Sequence, residues 1–226
     1  MNKTTYRYRV FFTKTDSARF IGHLDLQSLF QRAFKRTSLP VAYSEGFNPH
    51  QILSFAAPLP LGTAGLAEIL EIYMTHQIEA SSIAEALNPQ MPDGINIQNA
   101  YEIPATGKGA AAHMIAATYS ITFPHSTALA ENIERIIFRI LNDENVMIEK
   151  KTKKGRSMTD IRPDILDLQR IDCEGKISIK AKLSTGSSRN LKPELLVEYI
   201  AETTVDIIVD EPVYVREQLH LAEVKP

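Results

Sequence analysis

The hydrophobic periods of this 226-residue chain run through the same cycle twice, and that repetition restricts the fold more than any other feature. In the first half, Tyr8, Val10 and Phe12 alternate with Arg7 and Arg9, the two-residue period of a strand over Tyr6–Lys14. Leu26, Leu29, Phe30, Ala33 and Phe34 then recur at helical spacing, with Gln31, Arg32, Lys35 and Arg36 on the opposite side, which predicts an amphipathic helix from Gly22 to Thr37. Extended segments follow at 39–44, 52–57 and 68–74, the last also compatible with a helix. A short helix over 81–88 stops before Pro89, and 94–103 closes the half as a strand.

The second half repeats the order. Tyr119, Ile121 and Phe123 alternate as a strand, and Ile133, Ile136, Ile137, Ile140 and Leu141 mark a helix that Ser126 is placed to cap. Extended segments follow at 146–151, 165–171 and 177–183, then a helix opened by Pro193 and a strand over 205–209. The expected fold is therefore α+β, a tandem duplication of ferredoxin-like, elaborated βαββαβ units. The first unit spans residues 1–104, a small-residue linker 105–118, and the second unit 119–226.

Composition narrows the chemistry. The single cysteine, Cys173, excludes a disulfide within one chain and the three-cysteine cluster that a radical SAM enzyme needs for its iron–sulfur centre. The N-terminus has no signal-peptide pattern and no run approaches the ~18 apolar residues of a membrane span, so the cytoplasm is the expected compartment and a membrane is not an expected partner. No dense ligand cluster calls for a metal, and no cofactor is expected. The net charge of −2 conceals blocks: +5 for residues 1–60, −8 for 61–149, +7 for 150–193 and −6 for 194–226. The two basic stretches form one positive face that attracts phosphate if the fold brings them together, and are otherwise ordinary solvated surfaces neutralised by the acidic segments beside them.

The residues named for that role are Arg32, Lys35 and Arg36 on the first helix, and Lys150, Lys151, Lys153, Lys154, Arg156, Arg162 and Arg189 in the second half. Tyr43, Phe47 and His50 sit in the turn-rich string YSEGFNPH, where flat side chains either stack on unpaired bases or plug the core below. His23, Asp25 and His50 form a weaker set, able to act as acid and base only if the fold brings them together. The loop Ser184–Asn190 lacks the Gly-Lys-Ser/Thr ending of a P-loop, which disfavours nucleotide hydrolysis.

The stretch Arg19–Gly62, with GHLD, YSEGFNPH and PLPLG in that order, resembles the signature of the radical SAM-linked protein family. KKGRSMTDIRPDI at 153–165 and SSRNLKPELLVEYI at 187–200 resemble it too, although Gln51-Ile52 follow NPH where the family often has Pro-Lys. In that family the domain stands alone or is fused behind a radical SAM enzyme, often beside ribosomal and ribonuclease genes. The activity of that family is unassigned; the resemblance together with the basic stretches and the aromatic loop points to an accessory protein that presents RNA, such as ribosomal or transfer RNA, to a separate radical SAM enzyme or to processing machinery. Two other readings stay open: an adaptor that docks an acidic protein, and an RNA-modifying or RNA-cleaving enzyme built on His23, Asp25 and His50.

Overall fold

In the computed structural model the residues described are 5–123, 127–152, 155–173, 176–203 and 211–222. The chain divides into two compact units, Met1–Met114 with Leu221–Pro226, and Ile115–His220. Among the described residues there are five α-helices, each unit combines helices with strands, and no helix is long and apolar enough to cross a membrane.

The first unit is built on β1 (Tyr6–Lys14), which runs antiparallel to β3 (Ala64–Met74) on one side and to β4 (Ile95–Ile103) on the other. The short β2 (Leu53–Phe55) pairs with β3, so the order across this sheet is β4-β1-β3-β2. The two-residue period of β1 sends Tyr8, Val10 and Phe12 inward, where α1 (His23–Lys35) covers them with Leu26, Phe30, Ala33 and Phe34. Edge-to-face rings lock the contact, with Phe12 and Phe30 centroids 4.9 Å apart and Phe30 and Phe55 5.5 Å apart. The smaller helix α2 (Ser81–Leu87) adds Ile83 and Leu87 to the same core.

On the opposite face of β1 and β3 a buried ion cluster replaces apolar packing. Glu71 pairs with Arg7 and, at 2.7 Å, with Arg9, and it accepts the Ala110 N–H at 3.0 Å. Burial alone would raise the Glu71 pKa, but the Ala110 amide and the two guanidinium groups outweigh it and hold the carboxyl below its ordinary value. Within the expected linker 105–118 lie the helical turn α3 (Ala110–His113) and the start of β5 (Met114–Phe123). Its small residues serve close approach, since a Cβ on Gly109 would stand 3.0 Å from an Arg7 nitrogen and 3.2 Å from Glu71.

In the second unit β5 lies between β10 (Val213–Leu221) and β9 (Lys176–Ser184), and β9 pairs in turn with β8 (Ile165–Cys173). The order is β10-β5-β9-β8, with β5–β9 and β8–β9 antiparallel. Ile121, Phe123, Ile179 and Leu183 are buried with Ile133 and Ile140 of α4 (Thr127–Asn142) and Leu196 and Ile200 of α5 (Pro193–Thr203). Between α4 and β8 the chain makes a separate two-stranded sheet, β6 (Met147–Thr152) against β7 (Gly155–Asp160), of which β7 was not expected from the sequence. The expected strand 205–209 and the Ser126 cap lie outside the described residues, and the closing strand of the unit is β10.

Candidate nucleic-acid interface

The YSEGFNPH string folds as a closed loop. The Ser44 N–H donates to the His50 carbonyl at 2.8 Å, and the His50 N–H donates to the Ser44 hydroxyl at 3.1 Å. That hydroxyl also lies 2.8 Å from His50 Nδ1, a contact satisfied when the hydroxyl donates to a neutral imidazole protonated at Nε2. Tyr43 and Gln51 bridge just below, and Gly46 takes φ 115°, a left-handed value that glycine adopts without strain. With its ends tied, the loop holds Phe47 fully in solvent and Tyr43 half exposed, so neither ring plugs the core. A large apolar ring left in water on a tied loop forgoes roughly 1.5–3 kcal/mol of burial, which a partner can supply.

Arg32 and Lys35 lie exposed on α1, and Arg36 caps its C-terminal end seven residues before Tyr43. Cations there also suit the negative end of the helix dipole. Arg36 donates to the Gln90 carbonyl at 3.2 Å, whereas Arg32, among the described residues, makes no hydrogen bond or ion pair. Beside them Leu29, Met91 and Pro92 line a groove of about 560 Å³.

In the second unit the basic run forms the β6–β7 ribbon. Lys150 stands opposite Ser157 and Lys151 opposite Arg156 in its register. Arg156 reaches Glu149 at 3.0 Å in an exposed pair, which costs little to break. Gly155 has φ 123°, while Lys153 and Lys154 lie outside the described residues. Two of the named cations have structural bonds instead of free heads. Arg162 donates to the carbonyls of Leu141 and Ile165 at 2.7 and 3.0 Å, tying α4 to β8, and Arg189 pairs with Asp164 at 2.6 Å. Lys180 of β9 pairs with Glu217 at 3.0 Å.

The weaker acid–base set divides among local roles. The His23 ring packs edge-on against Phe55 at 5.6 Å, Asp25 is exposed in the first turn of α1 close to the Gly22 N-cap, and His50 belongs to the loop clamp. Among the described residues no hydrogen bond joins any two of the three, and no group of three or more His, Cys, Asp or Glu side chains is arranged to hold a metal. Sequence reasoning passed over Arg135 and Arg139, which line a groove of about 390 Å³ with Ile136, Ile140, Tyr199 and Thr203. They fall in the −8 segment, so the block charges hid them, although their spacing of four residues puts them on one side of a helix.

Compared with known protein families, residues 7–193 match the model of a family described as "Uncharacterized protein conserved in bacteria (DUF2344)". No curated protein matches the chain.

Proposed function

The chain belongs to this family of conserved bacterial proteins, and we propose that it is an RNA-binding accessory protein that grips single-stranded RNA through the 43–50 loop and the basic residues flanking it. The observation that carries this reading is Phe47, a fully exposed ring at the tip of a loop closed by three bonds between Ser44 and His50. Unpaired bases stack on such rings, whatever their sequence, and Tyr43 offers a second platform. Arg32, Lys35 and Arg36 at the end of the preceding helix supply phosphate contacts, as do Lys150, Lys151 and Arg156 on the ribbon.

Each unit, on this reading, is a ferredoxin-like βαββαβ repeat. The support is that the strands, numbered within each unit by order of appearance and leaving out the β6–β7 insertion, both run 4-1-3-2 across their sheets. Radical chemistry lies outside these 226 residues, with a radical SAM partner in the cytoplasm, because one cysteine cannot ligate the cluster that chemistry requires. The RNA is ribosomal or transfer RNA, and this chain presents it without catalysing a reaction itself.

The test is a titration of the purified protein with total cellular RNA at two salt concentrations. Binding that weakens as salt rises, and that is reduced in Phe47→Ala without loss of folding, is the expected result. A wild-type protein that binds no RNA at low salt rules the reading out.

A further inference from the structure

The two grooves described above have the same construction. In α1, Arg32 stands two residues after buried Phe30 and one and two before buried Ala33 and Phe34, with Arg36 one turn on. In α4, Arg135 stands two residues after buried Ile133 and one and two before buried Ile136 and Ile137, with Arg139 one turn on. Both pairs therefore leave the first helix of their unit at the same register against its core, and residues four apart on a helix are neighbours. In the first unit the opposite wall is the segment that follows the second helix, with Met91 and Pro92. In the second it is the end of the second helix, with Tyr199 and Thr203. Among the described residues, no acidic side chain lines either groove.

We infer that each of these two grooves binds a phosphodiester stretch of RNA, with Arg32 and Arg36 in one unit and Arg135 and Arg139 in the other as the phosphate contacts. The inference rests on the RNA reading and extends it to a helix whose surroundings in sequence are acidic. Guanidinium groups present forked donors that match phosphate oxygens, and a pair one turn apart grips two positions of a backbone. Existing bonds do not block this use. Arg135 donates to Asn132 at 2.8 Å and Arg139 lies 3.4 Å from Asp143, both at the surface, where a phosphate competes readily.

The test uses the full chain and a fluorescent single-stranded RNA of mixed sequence, titrated across a range of salt. R32Q/R36Q and R135Q/R139Q are compared with wild type, together with R135K/R139K, which keeps the charges. Each glutamine variant leaves two phosphates without their cations, which should lower the magnitude of the salt slope by about 1.4, while the lysine variant keeps most of the wild-type slope. Unchanged circular dichroism spectra confirm that the exposed substitutions leave the fold intact. If wild type binds RNA but R135Q/R139Q matches it in affinity and slope, the groove inference fails and the RNA reading stands. A loss of binding to an acidic peptide in that variant, with RNA binding intact, assigns the groove to a protein and also overturns the inference. If wild type binds no RNA, it is the underlying reading that has failed.

Discussion

The Ser44 hydroxyl lies 2.8 Å from Nδ1 of His50 and accepts that residue's own backbone N–H, so a single side chain ties both the ring and the chain of a residue six positions away. The consequence is a loop whose exposed aromatic tip is fixed before any partner arrives. Fixing it in advance removes part of the ordering cost of binding.

Phe47→Ala should therefore weaken RNA binding by about 1–3 kcal/mol with little change in the salt slope, because stacking neutralises no phosphate. Thermal stability should hardly move, since the ring buries nothing in the folded protein. Fluorescence titration at several salt concentrations, alongside thermal melting, checks both halves. A steep change in slope would mean that Phe47 acts on the backbone contacts instead.

Ser44→Ala removes two side-chain contacts while leaving the Ser44 N–H to His50 carbonyl bond in place. The expected cost is about 0.5–1.5 kcal/mol per hydrogen bond in holding the loop closed. Amide exchange across residues 45–48 should accelerate, and RNA affinity should fall even though Tyr43 and Phe47 are unchanged. Ser44→Thr, which keeps the hydroxyl, should restore much of both.

Replacing Lys153, Lys154 and Arg156 together by glutamine should flatten the salt dependence of RNA binding by about 0.7 for each phosphate that is no longer neutralised. Salt titrations of the variant against wild type measure this directly. Arg162→Gln should behave differently, lowering stability with little direct effect on slope, because its guanidinium holds the Leu141 and Ile165 carbonyls.

Glu71 gives a pH signature. Its pKa in the folded protein is depressed below the unfolded value of about 4.3, so its contribution to stability is present above that value and is lost as pH falls through the folded pKa. Wild type should lose stability on acidification below roughly pH 4, and Glu71→Gln should lack that part of the loss. The variant should also be less stable at neutral pH by about 3–5 kcal/mol, since it leaves the buried Arg7 and the partly exposed Arg9 without their counter-charge. Denaturant unfolding at a series of pH values tests both statements.

The elements that could be read from the sequence are those whose two sides differ in polarity. Helices α1 and α4 bury one side and solvate the other, and β1 sets Tyr8, Val10 and Phe12 against Arg7 and Arg9, so their periods of 3.6 and of two are visible in the residues themselves. Strand β3 blurs its period because Ile69, Leu70, Glu71 and Ile72 are all buried, the carboxylate serving an ion cluster on one face while the core fills the other. In β7, Gly155–Asp160 has no apolar alternation, and in β10 the most buried side chain belongs to Arg216, so hydrophobicity alone could mark neither. The glycines and alanines of 105–118 read as slack chain, whereas Gly109 is small so that the backbone can reach Arg7 and Glu71. As for the candidate interface, the residue types of the 43–50 loop suggested base stacking, but only the clamp and the exposure of Phe47 separate that from core packing.

The β6–β7 ribbon leaves and rejoins the second unit at one doorway: the Ile161 N–H donates to the Val146 carbonyl at 2.8 Å, and both side chains are buried. Between them the ribbon closes on itself, with Ile148 buried and β6 in contact with α5. The four-strand order of the unit is complete without the ribbon, so the charge of its exposed residues, Arg156 among them, can change without disturbing the sheet behind. The solvent-facing letters of the ribbon can be rewritten one by one, while Ile148 and the doorway pair have to stay as they are.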